Sequence, residues 1–100
     1  MARTVHVLLY PEETWYVGHC LEFDLVAQGK EPLEAFRNLL NAIEVQAAYA
    51  QETGDWSLLF TPAPAEYWRL LAGAEQYEPG RDGWRLPSIV ADVECALVRQ

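Results

Sequence analysis

The two histidines, His6 and His19, flank a short polar break, Pro11-Glu12-Glu13-Thr14. Arg3 to Tyr10 places apolar residues at Val5, Val7 and Leu9, the alternation of a half-buried strand, and Trp15 to Cys20 reads as its returning partner. With PEET as the hairpin loop, Tyr10 faces Trp15, and His6 then falls directly opposite His19 on one face of the hairpin. Two imidazoles so placed could chelate a metal ion. The sequence supplies no third ligand at a matching spacing, and packing or surface roles account for both rings, so neither a metal nor a cofactor is expected.

Carboxylates are the other candidates for chemistry. Glu22 and Asp24 lie on one side of an extended chain, and either would meet Glu12 or Glu13 only if the fold brought them together. Two-metal nuclease chemistry needs several convergent carboxylates, which this spacing does not supply; solvation of a loop and a strand edge is the simpler role. The serines are Ser57 and Ser88, neither within GxSxG, and there is no GxxxxGK[ST] or GxGxxG turn. No catalytic residue is assigned and the chain is read as non-enzymatic. Cys20 and Cys95 form no CxxC or Cys/His cluster; in a reducing compartment they are two small buried hydrophobes.

The elements that must position these groups follow from the same string. After a bend at Leu21 to Phe23, Asp24 to Gln28 reads as a third strand terminated by Gly29, completing an antiparallel meander. Pro32 occupies a first helical position, and Glu31 and Glu34 complement the positive end of the helix dipole. Phe36, Leu39, Leu40, Ile43, Ala47 and Ala50 keep three-four spacing, so one helix face packs on the sheet until Gly54 stops it. Trp56 to Phe60 is a short strand or an extended bridge. A second helix runs from about Pro64 to Gly73, Glu75 to Pro87 is a loop, and Ser88 to Arg99 is a final strand, with a terminal helix as the alternative.

One hundred residues, 51% of them hydrophobic, suffice for one domain with a real core. The expected architecture is α+β, in the order β-β-β-α-α-β, as a single domain over 1–100 with its core in 3–54 and an extension over 55–100. The formal charge is −8, and Pro11 to Asp55 holds nine acids against Lys30 and Arg37. Such a field repels phosphate backbones, so direct nucleic-acid binding is not expected, and a partner attracted to it would be basic. No apolar run reaches membrane-spanning length and the first residues lack a secretory pattern, so a cytoplasmic location with no membrane partner is expected.

The stretch WYVGHCLEFDLVAQGKEPLEAFRNLLNAIE resembles the HicB-like antitoxin family. Its signature is a Tyr-Val-Ala-x-Cys-Pro-Glu-Leu run, a Ser/Ala-Gln-Gly turn, then Thr-x-x-Glu-Ala and a helix with Asn-Leu. Tyr16, Val17, Cys20, Glu22, Ala27, Gln28, Gly29, Glu34, Ala35, Asn38 and Leu39 stand at the matching places, within a similarity that spans residues 4–51. Leu21 replaces the usual Pro, and Glu31-Pro32 replaces the Thr cap. The resemblance implies a truncated ribonuclease-H-like core and an antitoxin that docks a small basic toxin of the HicA kind, which cleaves messenger RNA, and occludes its active site. Family members that repress their own operon add a helix-turn-helix or ribbon-helix-helix module. Residues 56–100, with four arginines among six acids, show no pair of recognition helices.

Glu12, Glu13, Glu22 and Asp24 are the expected partner-binding residues. The alternative function is a solitary HicB-like module, acting as an oligomeric scaffold or small-molecule binder without a toxin. In either case an open sheet face, an open edge and the aromatics of the second half imply a homodimer or higher oligomer.

Overall fold

The computed structural model describes residues 2–57, 59–80 and 85–99. Strands β1 (Arg3–Glu12), β2 (Trp15–Cys20) and β3 (Leu25–Gly29) precede helix α1 (Pro32–Thr53). Helix α2 (Ala65–Gly73) and strands β4 (Glu75–Gln76) and β5 (Val90–Leu97) follow. The fold is α+β, with one five-stranded mixed sheet in the order β3-β2-β1-β5-β4. The first three strands form the antiparallel meander expected from their alternation. β5 runs parallel to β1, which places the first strand at the centre of the sheet.

The hairpin register departs from the expected one. Leu8, not His6, faces His19; Tyr10 faces Val17; and β1 continues through Pro11 to pair Glu12 with Trp15, leaving only Glu13-Thr14 as the turn. Pro11 does not end the strand, for a reason visible in the ladder. The Leu9 carbonyl accepts from Val98 N–H on the β5 side, so Pro11, two residues on, turns its missing N–H to that same side, past the last β5 pairing at Leu97. Glu13 takes the tight turn at φ 56°. Since the slip is by two residues, both histidines keep to the same face of the sheet.

Two further departures concern the second half. Glu75–Gln76, expected to be loop, pairs antiparallel with Leu97 and Ala96 of β5, giving the order β-β-β-α-α-β-β; residues 81–84 of that expected loop lie outside the described residues. Around Trp56 to Phe60, of which residue 58 lies outside the described residues, the chain turns instead of forming a strand. Trp56 and Phe60 stack at 5.9 Å, and the Arg3 guanidinium lies 4.5 Å over the Phe60 ring. Ser88 to Arg99 resolves as strand, because Val90, Cys95 and Leu97 are buried in the sheet and Val93 packs beside them.

α1 lies over β3 and β2 and buries Phe36, Leu39, Leu40 and Ile43 against Val5, Val7 and Leu9. Its start has Pro32 in the first turn and no side-chain cap; instead Glu34 reaches back to accept the Lys30 N–H at 2.5 Å. Gly54, left-handed at φ 77°, ends it by donating to Ala50 O. Gly29, expected to terminate the third strand, is the last residue of β3 and has a second role against α1. A Cβ there would stand 2.4 Å from Ala35 N, and one at Gly18 would stand 2.9 Å from Ala35 O, so two bare glycine backbones seat the first turn of α1. Cys20 and Cys95 flank Val7 from opposite sides, facing it from β2 and β5. Two strand spacings, roughly 10 Å, exceed disulfide reach, and both thiols are free and buried. No helix among the described residues is long and apolar enough to cross a membrane.

Candidate functional site

The sheet face opposite α1 presents alternate residues of four strands. These are His6, Leu8 and Tyr10 of β1, Val17 and His19 of β2, Val26 and Gln28 of β3, and Asp92, Glu94 and Ala96 of β5. α2 crosses the middle of this face. Tyr67, Trp68 and Leu71 rest on a second apolar cluster of Leu8, Leu21 and Ala63. Two bonds fix its approach: Ala63 N–H donates to Leu21 O at 2.8 Å, and the Trp68 indole N–H donates to Ala63 O at 3.2 Å.

Beneath and beside α2, each histidine is held by a carboxylate from the turn that follows β2. Glu22 clamps His6 twice: Oε1 accepts the main-chain N–H at 2.7 Å, and Oε2 accepts the Nδ1 proton at 2.5 Å. Asp24, left-handed at φ 53°, accepts the Nε2 proton of His19 at 2.7 Å. The proton on Nε2 leaves His19 Nδ1 as an acceptor for the Tyr10 hydroxyl, 3.5 Å away, in a Tyr10–His19–Asp24 chain. Each α2 aromatic then covers one imidazole, Tyr67 edge-on to His19 at 4.5 Å and Trp68 edge-on to His6 at 5.8 Å. His19 is only 3% exposed, and among the described residues no buried side-chain nitrogen or oxygen lacks a partner.

Burial, then the neighbouring Tyr67 phenol and the Glu12 and Asp24 carboxylates, pushes the Tyr10 hydroxyl up to about 12. Beyond the cover of α2, the far end of this face is open. Trp15 is 40% exposed and Val26 55% exposed, beside exposed Glu12, Asp24 and Gln28.

At the other end lies a groove of about 710 Å³, bordered by the end of α2, residues 74–80 and β5. His6, Tyr77, Glu78, Asp92 and Glu94 are among its walls. With Nδ1 committed to Glu22, His6 turns Nε2 toward Glu94 at 3.6 Å. A carboxylate-held imidazole is the pairing that makes a general base. Cys95, whose backbone lies in the strand behind this groove, has its thiol in the α1-side core, where burial pushes it up to about 12 and it stays protonated at neutral pH. Ser57 is tied to Asp55 in a surface turn. Among the described residues, no three His, Cys, Asp or Glu side chains group to hold a metal.

The four expected partner-binding carboxylates therefore divide. Glu12 and Glu13 stand exposed at the hairpin tip. Glu22 and Asp24 do not project together from an extended chain; they sit in a turn, with Glu22 committed to His6 and Asp24 to His19 while still partly exposed. Tyr10, Tyr67 and Trp68 are not among the site residues expected from the sequence, although the alternation of β1 puts Tyr10 on the face of His6. No protein-family profile, curated protein or solved structure that was compared matches this chain.

Proposed function

We propose that this chain is a HicB-like, antitoxin-type binding module that neutralises a small basic, messenger-RNA-cleaving toxin of the HicA kind by docking over its active site. The observation that carries this is the open end of the α2-side face. There an exposed Trp15 and Val26 are set among Glu12, Glu13 and Asp24 on a chain of charge −8. An indole face bordered by carboxylates suits lysine and arginine side chains, by cation–π contact and by charge pairing. A meander followed by a helix and a last strand laid parallel to the first is also the arrangement a truncated ribonuclease-H-like core requires.

The test is co-purification with a small basic chain encoded beside this one. A complex that persists at moderate salt, and whose association slows tenfold or more on joint Glu12→Lys and Glu13→Lys substitution, is the expected result. Absence of any complex refutes the proposal. The groove supports a second function, a solitary small-molecule binder, since its volume of about 710 Å³ falls within the range of ligand pockets. Thermal stabilisation by small amines, lost on Glu94→Gln, would favour that function.

A further inference from the structure

The sheet ends in two open edges, β4 and β3. β4 offers two residues, Glu75 and Gln76, followed by Tyr77 and Glu78. A second copy laid there would set acid against acid on chains that already carry −8 each. β3 offers five residues, with Asp24 just before it and Lys30, the single lysine of the chain, just after.

The groups that β3 turns outward can be read from the ladder. Leu21 N–H donates to His6 O, so the even residues of β1 and the odd residues of β2 bond each other. The even residues Tyr16, Gly18 and Cys20 then bond Gly29, Ala27 and Leu25. Val26 and Gln28 are left facing away from the sheet. The Asn38 amide, donating to Gln28 O at 2.8 Å, meets one of these outward carbonyls from the helix side.

We infer that β3 is a self-complementary edge and that two copies of this chain pair there, antiparallel about Ala27. In that register Val26 and Gln28 exchange main-chain hydrogen bonds with Gln28 and Val26 of the second copy, the Gln28 carbonyl accepting through the lone pair that Asn38 does not use. Leu25 lies opposite Gly29, and Asp24 opposite Lys30, at both ends. Centring the pair on any other residue leaves part of the strand overhanging and separates the two opposite charges. The helices fit the same symmetry: α1 lies over β3 and β2, so a two-fold axis beside β3 sets the two copies of α1 on the same side of the joined sheet. The result is a continuous ten-stranded sheet that carries two acidic faces on one side. It needs no toxin, so its test is independent of the proposed function.

Light scattering of the chain alone at high concentration is expected to give twice the 11.4 kDa monomer mass. Lys30→Glu, at an exposed position, replaces two attractions by two repulsions and should weaken association by roughly tenfold or more with an unchanged circular dichroism spectrum. Ala27→Cys should form an intermolecular disulfide under mild oxidation, because Cα atoms of a non-hydrogen-bonded pair stand about 4.5 Å apart; Glu75→Cys at the other edge should not. A monomer at all concentrations overturns the inference, as does a dimer indifferent to Lys30→Glu in which Ala27→Cys fails to cross-link.

Discussion

Gly29→Ala is the substitution for which the geometry sets the size of the effect. The added methyl would lie 2.4 Å from Ala35 N and 2.7 Å from Glu34 C, both main-chain atoms that no rotamer change can move. Restoring ordinary contact requires lifting the first turn of α1 by about 1 Å, and a gap of that size forfeits a quarter to a half of each dispersion contact it opens. Phe36 and Leu39, fully buried just beyond that turn, are the side chains at risk. With about 40–60 contacts each at about 0.1 kcal/mol, the pair loses roughly 2–6 kcal/mol, at or above the upper end of overpacking costs. For a domain of this size that lowers the melting temperature by roughly 10–30 °C. Urea denaturation followed by far-ultraviolet circular dichroism measures it directly. Gly73→Ala serves as the control: nothing lies within 4 Å of that position, and replacing a helical glycine should leave stability unchanged or raise it by roughly 0.5–1 kcal/mol. If Gly29→Ala costs less than about 1 kcal/mol, glycine is not what seats the helix, and the reasoning fails.

Other outcomes follow from the two histidine clamps and the buried acids. Glu22→Gln leaves His6 with weaker acceptors and should cost roughly 1–2 kcal/mol, with a changed His6 ring signal by nuclear magnetic resonance; an unchanged ring signal would show that the clamp does not set its proton. Cys20 and Cys95 are both raised by burial from 9.0 to about 12, and Tyr10 from 10.0 to about 12, so each holds its proton more tightly folded than unfolded. Their stabilising contribution is complete below pH 9 for the thiols and below pH 10 for Tyr10, and is lost as pH rises toward 12. Urea midpoints should therefore fall across that window. At pH 8 both thiols should resist a disulfide reagent until the chain unfolds, and rapid modification of the native protein would contradict their burial.

Where hydrophobic period and punctuation agreed, the sequence was enough. The apolar face of α1 from Phe36 to Ala50, its Pro32 start and its Gly54 stop are where periodicity and capping chemistry place them. So is the pairing of the meander, apart from the two-residue slip at Pro11. That slip was hidden because proline's cost in a strand depends on which side the missing N–H faces, and this required knowing where β5 ends. β4 carries too few residues for any pattern. At the site, the shared face of His6, Tyr10 and His19 was legible from alternation alone. Their partners were not: Glu22 and Asp24 reach the imidazoles through a turn whose left-handed Asp24 no local signal announces. The seating of Ala35 on Gly18 and Gly29 joins residues from three elements, a proximity that strand and helix periods do not encode.

The parallel pairing of β1 with β5 also fixes an order of assembly. β1 has as its neighbour a strand some ninety positions later in the chain, so the centre of the sheet cannot close until that strand too has left the ribosome. Until then β1 carries one unpaired side, with Val5, Val7 and Leu9 beside it, an edge open to other chains. Such sequence-distant contacts slow folding, because loop closure comes before the contacts that compensate for it. A chain ending before Val90 would therefore differ from the full domain in kind: it would present the core of its sheet as a sticky border during synthesis.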